Sequence, residues 1–139
     1  MHKISRQIIN CFKRGSKVII FGNGGSLADA SHFAAEFNRI GTVIALNDPV
    51  KITSIGNDYG FDTIFERQII GLCGDGDLLI GLSSSGKSDN VNRALRYGEE
   101  FLNIIDFPRK GKTTQEVQEY QYHLLHKIYI EVKEHYENS

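Results

Sequence analysis

His32 and Glu36 stand four residues apart, about one helical turn, so on a helix an imidazole and a carboxylate share one face. Such a pair can move protons or form half of a metal site. Just before it lies Gly22-Asn23-Gly24-Gly25-Ser26, a phosphate-sized loop whose glycines let backbone N–H groups and a helix N-terminus face an anion. A second loop, Ser83-Ser84-Ser85-Gly86-Lys87-Ser88, supplies four hydroxyls in six positions. A base or metal pair beside two anion-binding loops points to chemistry on a small phosphorylated substrate. Near the other end, Gln118 and His126 fall about 80° apart around a helix axis, so both can face one cleft. His32, Glu36, Gln118 and His126 together form an oxygen–nitrogen donor set that suits Zn²⁺, although glutamine is an uncommon ligand. Each pattern also has a plain reading: a surface His–Glu hydrogen bond, a solvated helix face, a tight turn with no ligand.

Two nucleotide-binding patterns come close and fail. The dinucleotide fingerprint needs a third glycine where Leu27 stands. Gly81 to Ser88, G-L-S-S-S-G-K-S, formally matches the P-loop and would give Lys87 the phosphates and Ser88 a magnesium ion. Two strand–helix units precede it, however, and the sole candidate for a Walker-B aspartate, Asp106, follows a weak strand with little chain beyond. Hydroxyls at Ser83, Ser85 and Ser88 suit a phosphomonoester equally well.

The elements that must position these residues alternate. Ile4, Ile8, Ile9 and Phe12 are spaced for a helix over Lys3–Arg14, and KVIIF (Lys17–Phe21) reads as a buried strand. Leu27, Ala30, Ala34, Phe37 and Ile40 mark a helix over Ser26–Ile40 with Ser26 as its N-cap. TVIAL (Thr42–Leu46) is a second strand, and Val50–Ile55 and Asp62–Leu72 read as helices around the loop Gly56–Gly60. DLLIGL (Asp77–Leu82) is a third strand, Ser88–Glu100 a helix and NIIDF (Asn103–Phe107) a fourth strand. Thr113 and Glu116 form a capping box that opens a last helix running toward His135. The alternation predicts an α/β chain, a three-layer α/β/α sandwich whose parallel sheet carries helices on both faces.

With 139 residues, 40% hydrophobic and 24% charged, the composition is that of one soluble globular domain over 1–139. A net charge of −1 gives no electrostatic footprint for nucleic acid or a membrane surface. No apolar run approaches the roughly 20 residues that span a bilayer. Cys11 and Cys73 fit neither a disulfide framework nor a metal pattern, so a reducing, cytoplasmic setting is expected.

GNGGSLADASHFAAEF, SIGNDYGF and GDLLIGLSSSGKSDNV, in that order, with VQEYQYHLLH near the end, resemble the sugar-isomerase (SIS) domain. Within it they are similar to the phosphoheptose isomerases. The resemblance implies a flavodoxin-like sandwich that converts sedoheptulose 7-phosphate to D-glycero-D-manno-heptose 7-phosphate for nucleotide-activated heptose synthesis. It implies that Asn23, Gly24, Gly25, Ser26, Asn57 and Asp58 line the sugar-phosphate site, with Glu36 and Gln118. Ser83, Ser84, Ser85 and Ser88 would hold the phosphate. His32, Glu36, Gln118 and His126 fall on the family's zinc positions, and Glu36 and His126 on its acid–base pair. The resemblance implies homotetramers with active sites between subunits; the first and last helices could supply that interface or simply cover the sheet of a monomer.

The chain departs from the pattern in places. Lys87 stands where an asparagine is usual, and Gln115 where Asp, Ala or Thr is common. Relatives carry a longer link after the His/Glu helix and a further strand–helix unit before the fourth strand. Residues missing near 40–42 and 100–103 are therefore expected, the alternative being a shortened paralogue. Two alternatives remain open: an SIS isomerase acting on another sugar phosphate, and a non-catalytic sugar-phosphate-binding regulator or scaffold.

Overall fold

The computed structural model describes residues 1–138. Strand β1 (Val18–Gly22) leads through a glycine turn into helix α2 (Gly25–Glu36), behind an opening helix α1 (Lys3–Lys13). Strand β2 (Val43–Ala45) precedes α3 (Pro49–Tyr59), a short 3₁₀ turn (Phe61–Thr63) and α4 (Ile64–Leu72). Strand β3 (Leu78–Leu82), α5 (Asp89–Phe101), β4 (Asn103–Asp106) and α6 (Thr114–Glu137) complete the chain. All pairings are parallel, in the order β2-β1-β3-β4.

Both faces of this sheet are covered, which is why its strands read as continuous apolar runs. Val18, Ile20, Leu78, Ile80 and Leu82 point into a core shared with α1, α2 and α6. Ile19, Phe21 and Leu79 point the other way, toward α4 and α5. Ile20 and Phe21 are completely buried on opposite faces, each contributing about 1.5–3 kcal/mol of transfer free energy. The α/β/α sandwich expected from the alternation is present.

Several boundaries differ from expectation, each for a local reason. Ser26 is not the N-cap of α2: Gly24 takes that place with φ 54°, and the Ser26 N–H instead donates to the Asn23 carbonyl at 2.9 Å. α2 stops at Glu36 rather than Ile40, because Phe37 leaves helical geometry and turns its ring against Phe33 and Tyr129. α3 runs on to Tyr59, capped by the Asp48 side chain with Pro49 in its first turn, so the expected loop Gly56–Gly60 is mostly helix. The Thr113 hydroxyl caps α6 as expected, accepting from the Glu116 N–H, while the Glu116 carboxylate accepts from Lys112 N–H instead of closing the box. Leu102 alone separates α5 from β4.

Lys17 and Asp77 tie the starts of β1 and β3 together. The Asp77 carboxylate accepts from Lys17 Nζ (2.7 Å), Lys17 N–H (2.9 Å) and Gly74 N–H (2.9 Å). Burial alone would raise its pKa, but these bonds outweigh it and hold the carboxyl below the usual range.

Candidate active site

The chain goes from β1 outward to β2, then crosses back to β3 on the other side of β1. β1 and β3 therefore flank the point where strand order reverses, and α/β sheets bind ligands in the crevice beyond the carboxyl ends of such strands. The two anion loops sit at those ends. A reciprocal pair of amide hydrogen bonds, Asn23–Asn90 at 2.8 and 3.0 Å, joins the first loop to the start of α5. Asn23, Ser88 and Asn90 line a cleft of about 390 Å³ with Phe61, Asp62 and Asp89.

In the second loop the hydroxyls converge. Ser83 Oγ lies 3.2 Å from Ser88 Oγ and 3.5 Å from Ser85 Oγ. Ser83 Oγ accepts from the Gly86 N–H and Ser85 Oγ from the Lys87 N–H, both at 3.0 Å. Those backbone donors are thus occupied by hydroxyls, unlike the free N–H row with which a P-loop cradles a polyphosphate. Ser84 is half-buried beside them, and Lys87 is exposed. The loop is anchored from behind: Arg109 Nη1 and Gln121 Nε2 both approach the Ser83 carbonyl at 3.4 Å. Gln121 also donates to the Pro108 carbonyl, and Asp106 grips Arg109 through both oxygens at 2.9 and 3.0 Å. That pairing raises the Arg109 pKa further, so its charge is constant.

His32, Glu36 and His126 meet where α2 faces α6. Glu36 Oε1 lies 3.4 Å from His32 Nε2 and 3.8 Å from His126 Nε2, and one donor atom of each residue falls within 4.8 Å of the others. Tetrahedral zinc with bonds of about 2.1 Å sets its ligand atoms about 3.4 Å apart, so these spacings fit. Glu36 Oε1 is buried and makes no hydrogen bond. A buried carboxylate oxygen between two imidazole nitrogens is an incomplete set of interactions that a cation or a transferable proton completes. The Tyr122 ring packs on both imidazoles, with centroids 4.4 Å from His126 and 5.8 Å from His32.

Gln118 lies one step along the same groove. A Cβ added to Gly25 would overlap its amide nitrogen and sit 2.8 Å from Cδ and Oε1, so the Gln118 amide rests directly on the α2 backbone. It lines one cleft with Asp29, whose carboxyl pKa is raised by burial against the opposing pull of Gln118 and of His32 and His126. Asn57 and Asp58 lie exposed in the last turn of α3, hydrogen-bonded to each other at 3.0 Å, and are not among the residues lining the cleft of Asn23, Ser88 and Asn90. The residues expected as a loop are wound into helix. Asp29, Asn90, Arg109, Gln121 and Tyr122 escaped sequence reasoning. Asp29, three residues before His32, shares its helical face and was within reach of the periodicity; Arg109 follows β4 with no pattern to mark it.

A family model described as the SIS domain matches residues 1–103, and the chain belongs to that family. The curated relatives it matches include phosphoheptose isomerases. Phosphoheptose isomerase 1 of Campylobacter jejuni is 42% identical over 118 residues, covering 79% of this chain and 63% of the relative. The Fusobacterium nucleatum enzyme is 36% identical over 150 residues, covering 91% of this chain and 77% of the relative. The chain spans less than two thirds of the length of the Campylobacter relative. Among solved structures, phosphoheptose isomerase from Neisseria gonorrhoeae superposes with a TM-score of 0.89 at 32% identity, covering 94% of this chain and 83% of that one. A Francisella tularensis phosphoheptose isomerase, at 24% identity and a TM-score of 0.90, shares the fold.

Proposed function

We propose that this protein is an aldose–ketose isomerase converting sedoheptulose 7-phosphate to D-glycero-D-manno-heptose 7-phosphate through an enediolate. The observation that carries the reading is the buried Glu36 oxygen, without a hydrogen bond and set between His32 and His126, next to two anion loops at the sheet's switch point. The serine hydroxyls hold the 7-phosphate, and Asn23, Gly24, Gly25 and Ser26 line the sugar chain. Glu36 takes a proton from C1 of the ketose and returns it to C2, while His126 carries the hydroxyl proton of O1 to O2. The bonds made and broken balance without an oxidant. His32, Glu36, Gln118 and His126 would hold zinc, whose chemistry at such a site is Lewis-acid polarisation of a carbonyl.

The assembly is proposed as a cytoplasmic homotetramer, with no nucleic-acid or membrane partner. Among the described residues no helix is long and apolar enough to cross a membrane. α1 already packs on α6 through Ile4, Ile8 and Ile9, so a subunit contact uses their outer faces. The Fusobacterium alignment runs over 150 positions against the 139 residues of this chain, so that relative carries residues this chain lacks.

Turnover of sedoheptulose 7-phosphate tests the reading, with fructose 6-phosphate and arabinose 5-phosphate as comparison substrates. Formation of the aldoheptose phosphate is expected. A folded protein that binds sugar phosphates without turning any of them over would be a sensor or scaffold instead.

A further inference from the structure

We infer that Asp29 is a positioning residue for the metal-binding centre: its carboxylate takes the NH₂ end of the Gln118 amide and so leaves the Gln118 carbonyl oxygen to face His32, Glu36 and His126. This inference rests on the metal-binding reading of that cluster proposed above. Gly25, Asp29, His32 and Glu36 follow one another at steps of four, three and four residues, which places them in one stripe along α2. Gln118 crosses the stripe from α6, its amide nitrogen seated on Gly25, one helical turn before Asp29. Asp29 and Gln118 line one cleft of about 250 Å³ with Gln115, Glu119 and Tyr122.

The chemistry of the two groups fixes the direction of the contact. An ionised carboxylate only accepts hydrogen bonds, whereas an amide offers donors at nitrogen and lone pairs at oxygen. Beside Asp29, the nitrogen must turn inward and the oxygen away. Asp29 is 8% exposed and its Oδ2 makes no hydrogen bond. A buried carboxylate oxygen without a hydrogen bond is costly to the empty protein, and a divalent cation held nearby offsets that cost. Groups that orient ligands in this way commonly change metal affinity by about 10–100-fold when removed.

The test is zinc affinity by competition with a chromophoric chelator, together with the melting temperature of the zinc-free protein. Wild type should bind zinc in a manner that His126→Ala abolishes. Asp29→Asn, the same shape with a donor in place of an acceptor, should bind zinc about 10–100-fold more weakly without melting earlier when zinc-free. The reciprocal change, Asp29→Asn with Gln118→Glu, restores one donor facing one acceptor and should recover most of the loss. Unchanged zinc affinity in Asp29→Asn, or no recovery in the double variant, overturns the inference while leaving the metal reading intact. A wild-type protein that binds no zinc at this centre overturns both.

Discussion

Replacing Gly25 with alanine should separate stability from function. Gly25 opens α2 and is not among the glycines with positive φ, so an alanine fits the backbone. Removing glycine from such a position gains about 0.4–1 kcal/mol through the unfolded chain. The added methyl, however, would overlap the Gln118 amide nitrogen and lie 2.8 Å from its carbon and oxygen. Carbon contacts are comfortable only from about 3.5 Å, so the amide must retreat by about 1 Å. It is the far end of a flexible side chain, so the move costs the fold little and falls on the site. A displacement of about 1 Å can cost about 10²-fold in rate. Gly25→Ala should therefore melt no earlier than wild type yet lose about 10²-fold in kcat/KM on sedoheptulose 7-phosphate, a loss near 2.7 kcal/mol of transition-state stabilisation (about 1.36 per tenfold). Adding Gln118→Ala to that variant should cost little more, because both changes act through one group. Steady-state kinetics and thermal denaturation on the same preparations decide it. Wild-type turnover in Gly25→Ala would refute the placement of Gln118.

Asp77→Asn should lower stability by about 1–3 kcal/mol at pH 7, since it leaves Lys17 and two backbone donors facing a poorer acceptor. The folded pKa of Asp77 is depressed, so its contribution is present above the unfolded value of about 3.9 and is lost as pH falls through the folded one. Urea unfolding should show the gap between variant and wild type closing below about pH 4; a gap constant with pH contradicts the assignment. Arg109→Ala should raise KM for sugar phosphate by up to about tenfold with kcat nearly unchanged, because the Ser83 carbonyl loses one of its two anchors. A fall in kcat alone would mean that Arg109 acts at the reacting carbons. Burial pushes the Cys73 thiol up to about 11 and Cys11 is fully buried, so iodoacetamide at pH 8 should label neither until the protein is unfolded.

How far the sequence discloses this molecule follows from how local each determinant is. The strands were legible because KVIIF and DLLIGL are buried on both faces, which leaves no polar residue to interrupt them. The pairing of His32 with Glu36 is set by helical periodicity within a single element, and it holds. That His126 joins them depends on how α6 lies across α2; eight-residue spacing allowed it, and family resemblance singled it out. The end of α3 was misread because Gly56 looks like a helix stop, whereas the Asp48 cap and Pro49 carry the helix past it to Gly60. Gln121 and Arg109 were invisible for a different reason. Their partner is the Ser83 main-chain carbonyl, and no residue type announces a contact with backbone.

The central claim is that Glu36 is the base of an isomerase. Glu36→Gln keeps the shape of the side chain and removes its basicity, and a positioned general base contributes about 10²–10⁴-fold. The decisive measurement is the conversion rate of sedoheptulose 7-phosphate by wild type and Glu36→Gln, each with and without chelator, alongside their affinity for the sugar phosphate. The account predicts that Glu36→Gln binds the sugar phosphate but isomerises it at least about 10²-fold more slowly, whatever the chelator does to wild type. Glu36→Gln turning over at the wild-type rate would contradict it.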